Sequence, residues 1–305
     1  MHADHQHLFL LIQLPPRLLN LPHGYVSLKK IKANLIHIMN NHNISFNSAL
    51  RHWRKLRKVS QLELALNADV SQRHISWLET GRSQPSKEMV IKLSEAMDIP
   101  LRDRNHLLNS AGFSGAYSHS DLDEPSMAPI NNILETILSN HEPFPAYVLD
   151  RYWNITMQNK ASQTMFEIAG DPEAIWQAVG DNGEHNIALL TVHPNGLRNY
   201  IQNWGIIIAP FVRRLKKEAM ESNDLQLQQR YEQLATHIDE SDMTDSVTPD
   251  QLLPVLPIKF GSADSTLNLY SIISTFGTAQ DITANELRIE TFYPCDKQTA
   301  KFFTE

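Results

Sequence analysis

Gln72 and Arg73 stand side by side just ahead of Ile75 and Leu78, placing an amide and a guanidinium on the polar side of a short amphipathic segment. A glutamine amide can bind an adenine edge with paired donor and acceptor, and an arginine can bind guanine with two parallel N–H donors. Ser71 and His74 flank them as assistants, Ser71 also suiting a helix cap and His74 a phosphate. Arg82, Gln84 and Lys87 follow in the next loop and helix start, where their contacts would position a duplex rather than specify its sequence.

The elements that must position these groups are legible from spacing. Phe46, Ala49, Leu50, Trp53 and Leu56 recur at threes and fours, which predicts an amphipathic helix with a basic outer face of Arg51, Arg54, Lys55, Arg57 and Lys58. Ser60-Gln61-Leu62-Glu63 is a capping box, flanked by Val59 and Leu64 as a hydrophobic staple, and it opens a second helix. Asn67-Ala68-Asp69-Val70 breaks that helix, Asp69 being one of the few residue types besides glycine that tolerate a left-handed turn. Ser71 caps a third helix, stapled by Val70 and Ile75 and running to Gly81, with Trp77 packing at its back. Two short helices joined by a tight turn make a helix-turn-helix, whose second helix enters the major groove of DNA. Ser86 caps a fourth helix carrying Val90, Leu93 and Met97, and Leu101, Leu107, Leu108 and Ala111 belong to a fifth ending before Gly112. The expectation is an all-α five-helix bundle over residues 46–112.

The stretches VSQLELALNADVSQRHISWLETGRSQPS and MVIKLSEAMDIP resemble the XRE, or phage-repressor, family, and the likeness covers the whole of 46–112. It implies a lambda-repressor-like fold and sequence-specific binding to double-stranded DNA. It also implies a homodimer on a palindromic operator whose half-sites lie about one helical turn, or a multiple, apart. Gln61 matches the family's glutamine that contacts phosphate and braces the recognition helix. Asp69 departs from the usual glycine, at some cost in stability.

Residues 113–129 are rich in Ser, Asp and small side chains without a period, and read as a linker. Beyond them, 146–149 and 152–157 look like strands about a turn at Asp150-Arg151, and 159–169 looks helical with Met165 and Phe166 inward. Residues 203–220 and 225–238 suit helices, and 256–260, 267–276 and 287–293 alternate as strands, the first two separated by Gly261-Ser262-Ala263-Asp264. Strands with helices on one side predict an α+β unit. The segments PAYVLDRYWNITMQN, HPNGLRNYIQNW, TFGTAQD and ELRIETFYPCD resemble, in that order across 130–302, the ligand-binding domain of MmyB-like transcription regulators. That likeness implies a PAS-like sensor domain with a pocket for a small apolar ligand such as a fatty acid. Within the matched motifs Tyr147, Trp153, Met157, Phe166 and Trp204 are the apolar pocket candidates, and Asn154 and Asn159 the polar anchors. The same apolar residues would serve equally as plain core. Arg213 and Arg214, beside Lys216 and Lys217, read as a solvated helix face. An alternative assignment for this half is a constitutive dimerisation or protein-docking module with no ligand.

Charge supports two parts with different tasks. Residues 46–112 hold eleven Lys/Arg against seven Asp/Glu (+4), whereas 113–305 hold twelve against twenty-six (−14), inside a 305-residue chain of net charge −7. A single cysteine, Cys295, excludes an internal disulfide and a cysteine-rich zinc site, and the fourteen histidines show no metal-ligand spacing, so no metal or cofactor is expected. No Gly-x-Ser-x-Gly elbow, Walker loop or Gly-x-Gly-x-x-Gly is present, which argues against an enzyme. The apolar run Leu8 to Ile12 is too short to span a bilayer, and a cytoplasmic protein without a membrane partner is expected. Residues 1–45, with Pro15, Pro16 and Pro22, read as a disordered leader or as sequence ahead of a true start at Met39.

Overall fold

The computed structural model describes residues 45–180, 183–222, 224–243, 255–262 and 265–305. The leader and Met39 lie outside them. Residues 45–305 form one contact unit.

Five helices come first: α1 (Phe46–Leu56), α2 (Gln61–Asn67), α3 (Gln72–Thr80), α4 (Lys87–Ala96) and α5 (Leu101–Ser110). Their ends follow the predicted caps. Ser60 accepts from the Glu63 amide at 3.0 Å while the Glu63 carboxylate accepts from the Ser60 amide, completing the capping box. The Ser71 and Ser86 hydroxyls accept from the His74 and Met89 amides, both at 3.2 Å. Asp69 has φ +47°, the left-handed turn between α2 and α3, and Gly81 has φ +74° where α3 ends. The apolar stripes meet in a core of Leu50, Leu64, Ile75, Leu78, Val90 and Leu93, all at 0 % exposure.

The stretch after α5 differs from a free linker. Asn105 on α5 accepts from the Ala116 and Tyr117 amides through Oδ1 and donates to the Tyr117 carbonyl at 2.7 Å. Ser118 and Ser120 donate their hydroxyls to Asp281. The small polar side chains that remove any period are the ones that fasten the segment, by hydrogen bonds that periodicity does not register. A 3-10 turn (Pro125–Met127) then leads into α6 (Ala128–His141), so a helix begins within the predicted linker.

A five-stranded antiparallel sheet follows, in the order β2-β1-β5-β4-β3, made of β1 (Ala146–Leu149), β2 (Ile155–Gln158), β3 (Ile258–Gly261), β4 (Thr266–Ser274) and β5 (Arg288–Pro294). Between β2 and β3 run α7 (Lys160–Glu167), α8 (Pro172–Ala178), α9 (Ile187–Val192), α10 (Trp204–Glu221) and α11 (Leu225–Ala235); α12 (Ile282–Glu286) precedes β5 and α13 (Lys297–Thr304) follows it. One sheet face, with Tyr147, Leu149, Leu267, Leu269 and Phe292, packs against the helices between β2 and β3 in a large apolar core. The other face is covered too. Ala146, Val148 and Ile289 pack on Leu134 and Leu138 of α6, a second layer that corrects the one-sided reading. The cause is apolar residues at both parities of β1, whose four residues are all buried. Together the two parts are an all-α bundle and a PAS-like α+β unit.

β2 starts three residues later than predicted because the turn is longer. Asp150 Oδ1 accepts from the Tyr152 and Asn154 amides, an Asx-type turn, and Trp153 sits at φ +70°. At the β3–β4 turn, Gly261 has φ +125°, and an added Cβ would lie 2.1 Å from the Ser265 carbonyl oxygen.

Candidate nucleic-acid interface and internal binding core

The first turn of α3 presents its polar side to solvent and only Ile75 to the core. Gln72 and Arg73 are exposed, His74 is half-buried, and Arg82 and Gln84 are exposed in the following loop, with Lys87 half-buried at the start of α4. Ser71 is occupied as the cap, its oxygen accepting from the His74 amide. The Arg73 guanidinium lies over the Trp77 ring at 4.5 Å, one turn along the same helix. Trp77 therefore supports the Arg73 guanidinium as well as filling the back of the helix.

The last turn of α3 is clamped. Glu79 is 2 % exposed and takes Arg54 through two bonds (2.5 and 2.9 Å) and the Gln61 amide at 2.8 Å. Burial pushes its carboxyl up, but the bonds from Arg54 and Gln61 and the charges of Arg54 and Arg51 outweigh that and hold it below the usual carboxylate range. Arg51 adds a bond to the Glu79 carbonyl at 2.9 Å. One buried carboxylate thus ties α1 and the start of α2 to the recognition helix. The Gln61 amide is thereby committed to α3. Arg54 belongs to this clamp and not to the outer basic face, because the pairing draws it inward. Beside the clamp an open cleft of about 500 Å³ is lined by Asn47, Ser48, Arg51, His52, Lys55, Glu79 and Thr80. Glu79 and Arg54 are clamp positions that spacing missed, since the partners of Glu79 lie 25 and 18 residues away in sequence.

In the sheet domain the pocket candidates separate. Tyr147 is 1 % exposed, stacked on Phe166 (5.8 Å between ring centres) and edge-on to Phe292 (5.5 Å). Its hydroxyl makes no hydrogen bond of normal geometry among the described residues, Ser162 being close enough only to oppose weakly the burial that raises the phenol well above its ordinary range. Directly across the β1–β5 ladder stands Glu290, buried, accepting from the Ser271 hydroxyl, its carboxyl pushed up by burial. Trp153, 3 % exposed, donates from Nε1 to Glu218 at 3.0 Å and meets Phe211 edge-on. Arg288 and Arg214 lie over its ring at 4.8 and 5.2 Å. Arg214 pairs with Glu218 at 3.0 Å, so it is not simply part of a solvated face.

The remaining candidates do not join this group. Met157 pairs with Val148 in register and packs in the α6 layer on the opposite sheet face. Trp204 is half-buried at the edge of the core, bonded to Asp242 at 2.8 Å with Arg198 over its ring. Asn154 uses its amide on Asp150 and its oxygen on Asn186, both at 2.8 Å, to hold the β1–β2 turn. Asn159 caps α7 and secures β1, accepting from the Ala146 amide and the Ser162 amide and hydroxyl while donating to the Phe144 carbonyl. The two expected anchors are therefore framework residues, because asparagine suits a cap or a turn as well as a ligand. The polar groups inside are Tyr147, Glu290 and Ser271. Glu290 was legible: in ELRIETF a charged residue occupies the parity of the inward Phe292.

A capped, exposed helix start on a clamped five-helix bundle, joined to a PAS-like unit, defines a helix-turn-helix regulator with a second, sensor-type domain. Residues 50–103 match the family described as Helix-turn-helix, and residues 130–305 match the MmyB-like transcription regulator ligand binding domain. The second match spans more than half the chain, and the chain belongs to the MmyB-like transcription regulator family. It is a DNA-binding transcription regulator; both matched families are regulatory and not enzymatic. No curated protein matches it. Among the described residues no helix is long and apolar enough to cross a membrane, and no cluster of His, Cys, Asp or Glu could hold a metal ion.

Proposed function

We propose that the protein binds a palindromic operator as a homodimer in the cytoplasm, with a reading domain over 46–112 and a sensor over 130–302 that holds a small apolar ligand. Gln72 and Arg73 read base edges, with Ser71 and His74 beside them, and Gln61, Arg82, Gln84 and Lys87 hold the phosphates. The supporting observation is the exposed first turn of α3 on a helix whose far end is fixed by Glu79. Selection of bound fragments from genomic DNA tests it. A palindromic consensus is expected, and Gln72→Ala should relax preference at one position per half-site, costing about 1–3 kcal/mol of discrimination. Unchanged preference would remove Gln72 from the reading set.

For the sensor, the supporting observation is a buried Tyr147 hydroxyl without a hydrogen bond of normal geometry, on a residue paired across the ladder with buried Glu290, within an aromatic core. An apolar molecule with one polar end, of which a fatty acid is an example, suits such a lining. A second reading has its own support: both asparagine anchors are fully engaged in the framework, as a closed docking or dimerisation module would require. Native mass spectrometry separates the two. A co-purifying small molecule supports the sensor, and a ligand-free dimer supports the module.

A further inference from the structure

Three segments of the sheet domain each place one residue in an inner cluster and another in an outer cluster that touches the DNA-reading bundle. The inner cluster is Trp153, Glu218 and Arg288: Trp153 donates to Glu218 at 3.0 Å, Arg288 pairs with Glu218 at 3.0 Å, and the Arg288 guanidinium lies over the Trp153 ring at 4.8 Å. The outer cluster is Arg151, Asp224 and Glu286. Arg151 donates to Glu286 and lies 3.4 Å from Asp224. Arg151 sits two residues before Trp153 on the β1–β2 turn, Glu286 two residues before Arg288 at the start of β5, and Asp224 follows Glu218 across the α10–α11 junction.

Glu286 is also one of the points where the bundle is attached, beside the Arg57–Glu221 pair at 3.8 Å. Arg102, in the first turn of α5, gives it two bonds at 2.8 Å. Bidentate arginine–carboxylate pairs fix orientation as well as distance. A shift of the Trp153 ring or of Arg288 must travel only two residues along a turn or a strand before it reaches the carboxylate that holds α5. Trp153 is held at φ +70°, unusual for an aromatic residue, by the Asp150 turn that also carries Arg151.

We propose that these two clusters are the coupling between the sheet domain and the reading domain: the state of the Trp153–Glu218–Arg288 group is transmitted through Arg151 and Glu286 to Arg102, and so to the orientation of α5. The residues act by positioning, and none of the DNA-facing side chains takes part. This adds a route of regulation to the function proposed above, and its test requires neither a known ligand nor a known operator.

Amide hydrogen exchange on the full chain provides the test. Trp153→Phe keeps the ring and removes the N–H to Glu218; Glu218→Gln removes the charge shared with Arg288. Each is expected to speed exchange in α5 (101–110) by about fivefold or more, with α2 and α3 unchanged. In an Arg102→Met background the same substitutions should give no further acceleration in α5. Acceleration confined to the sheet domain overturns the proposal, and so does an equal acceleration with Arg102→Met, which would show a route outside the clusters. If Glu218→Gln strips protection from every strand, Trp153→Phe alone decides, by the same two outcomes.

Discussion

At 2 % exposure, the Glu79 carboxylate is stable as an anion only because Arg54 and Gln61 direct their donors to it. Glu79→Ala would leave the Arg54 guanidinium, mostly buried itself, without its partner, and should lower unfolding stability by about 3–5 kcal/mol in urea titrations. Glu79→Gln, which retains one acceptor, should cost less. Because Glu79 is held below its ordinary range, its contribution is present above the unfolded carboxylate pKa and is lost as pH falls through the folded one. The gap between wild type and Glu79→Gln should therefore narrow on acidification. Asp103 has the opposite sign. It is 5 % exposed on α5, and burial, with Glu286 and Asp224 adding to it and Arg151 and Arg102 opposing, raises its carboxyl to about 6. The folded chain binds that proton more tightly than the unfolded chain, so the Asp103 contribution to stability declines as pH rises from about 4 to about 6. Nearby His106 is lowered by burial and by Arg102, and weakens the fold in the other direction, on acidification. Asp103→Asn isolates the first effect: a gain of up to about 3 kcal/mol at pH 7, vanishing near pH 4, should appear in urea midpoints taken across that range. Neither residue declared its role in the sequence. A charged side chain on a helix reads as solvated until its partner is known; those of Glu79 lie on α1 and α2, and Arg151 and Glu286, which act on Asp103, lie in the sheet domain.

Elements were more legible than residues wherever a cap marked the boundary. Ser60, Ser71 and Ser86 each sit one residue before an observed helix, since a hydroxyl that satisfies an otherwise free amide is a local requirement. Four of the five strands were legible within two residues, from alternation and from the turn at Gly261. Helices of five to eight residues such as α12, α9 and α13 escaped notice, because two turns cannot display a period. The segment 113–124 escaped for another reason: its order comes from Asn105 and Asp281, which lie outside it. The turn at Asp69 was read as left-handed and has φ +47°. Left-handed backbone costs a residue with a Cβ about 1–2 kcal/mol, part of which glycine forfeits to its freer unfolded chain. Asp69→Gly should therefore stabilise the bundle by about 0.5–1 kcal/mol in chemical denaturation, the weak contact to Lys92 at an almost fully exposed carboxylate being a negligible loss. A stability decrease would mean that the aspartate supports the turn by more than its strain costs.

For the whole molecule, the charge distribution decides how it approaches DNA. A chain of net −7 should be repelled by a polyanion, yet residues 46–112 carry +4 and the remainder after them −14. Attraction thus lies in the bundle and in residues 1–45, which carry +3, and the acidic domain favours orientations that face away from the duplex. Phosphate contacts release counterions, so affinity should fall linearly on logarithmic axes as salt rises, by about 0.9 in slope for each phosphate neutralised. Base contacts made by a neutral side chain carry no such dependence. This separates the two sets of residues by experiment. Arg82→Ala and Lys87→Ala should each reduce the salt slope by about one while leaving the preferred sequence unaltered. Gln72→Ala should leave the slope unaltered and change the preference. Arg73, a cation stacked on Trp77, sits between the classes: Arg73→Ala should change both readouts, whereas Trp77→Ala, which removes the platform but no charge, should weaken discrimination at the position read by Arg73 with the slope intact. Titrations of one operator and one mismatched operator at about 50 and 200 mM salt yield both readouts for every variant. A Gln72→Ala slope change, or an Arg82→Ala change in preference, would exchange the roles assigned to those residues.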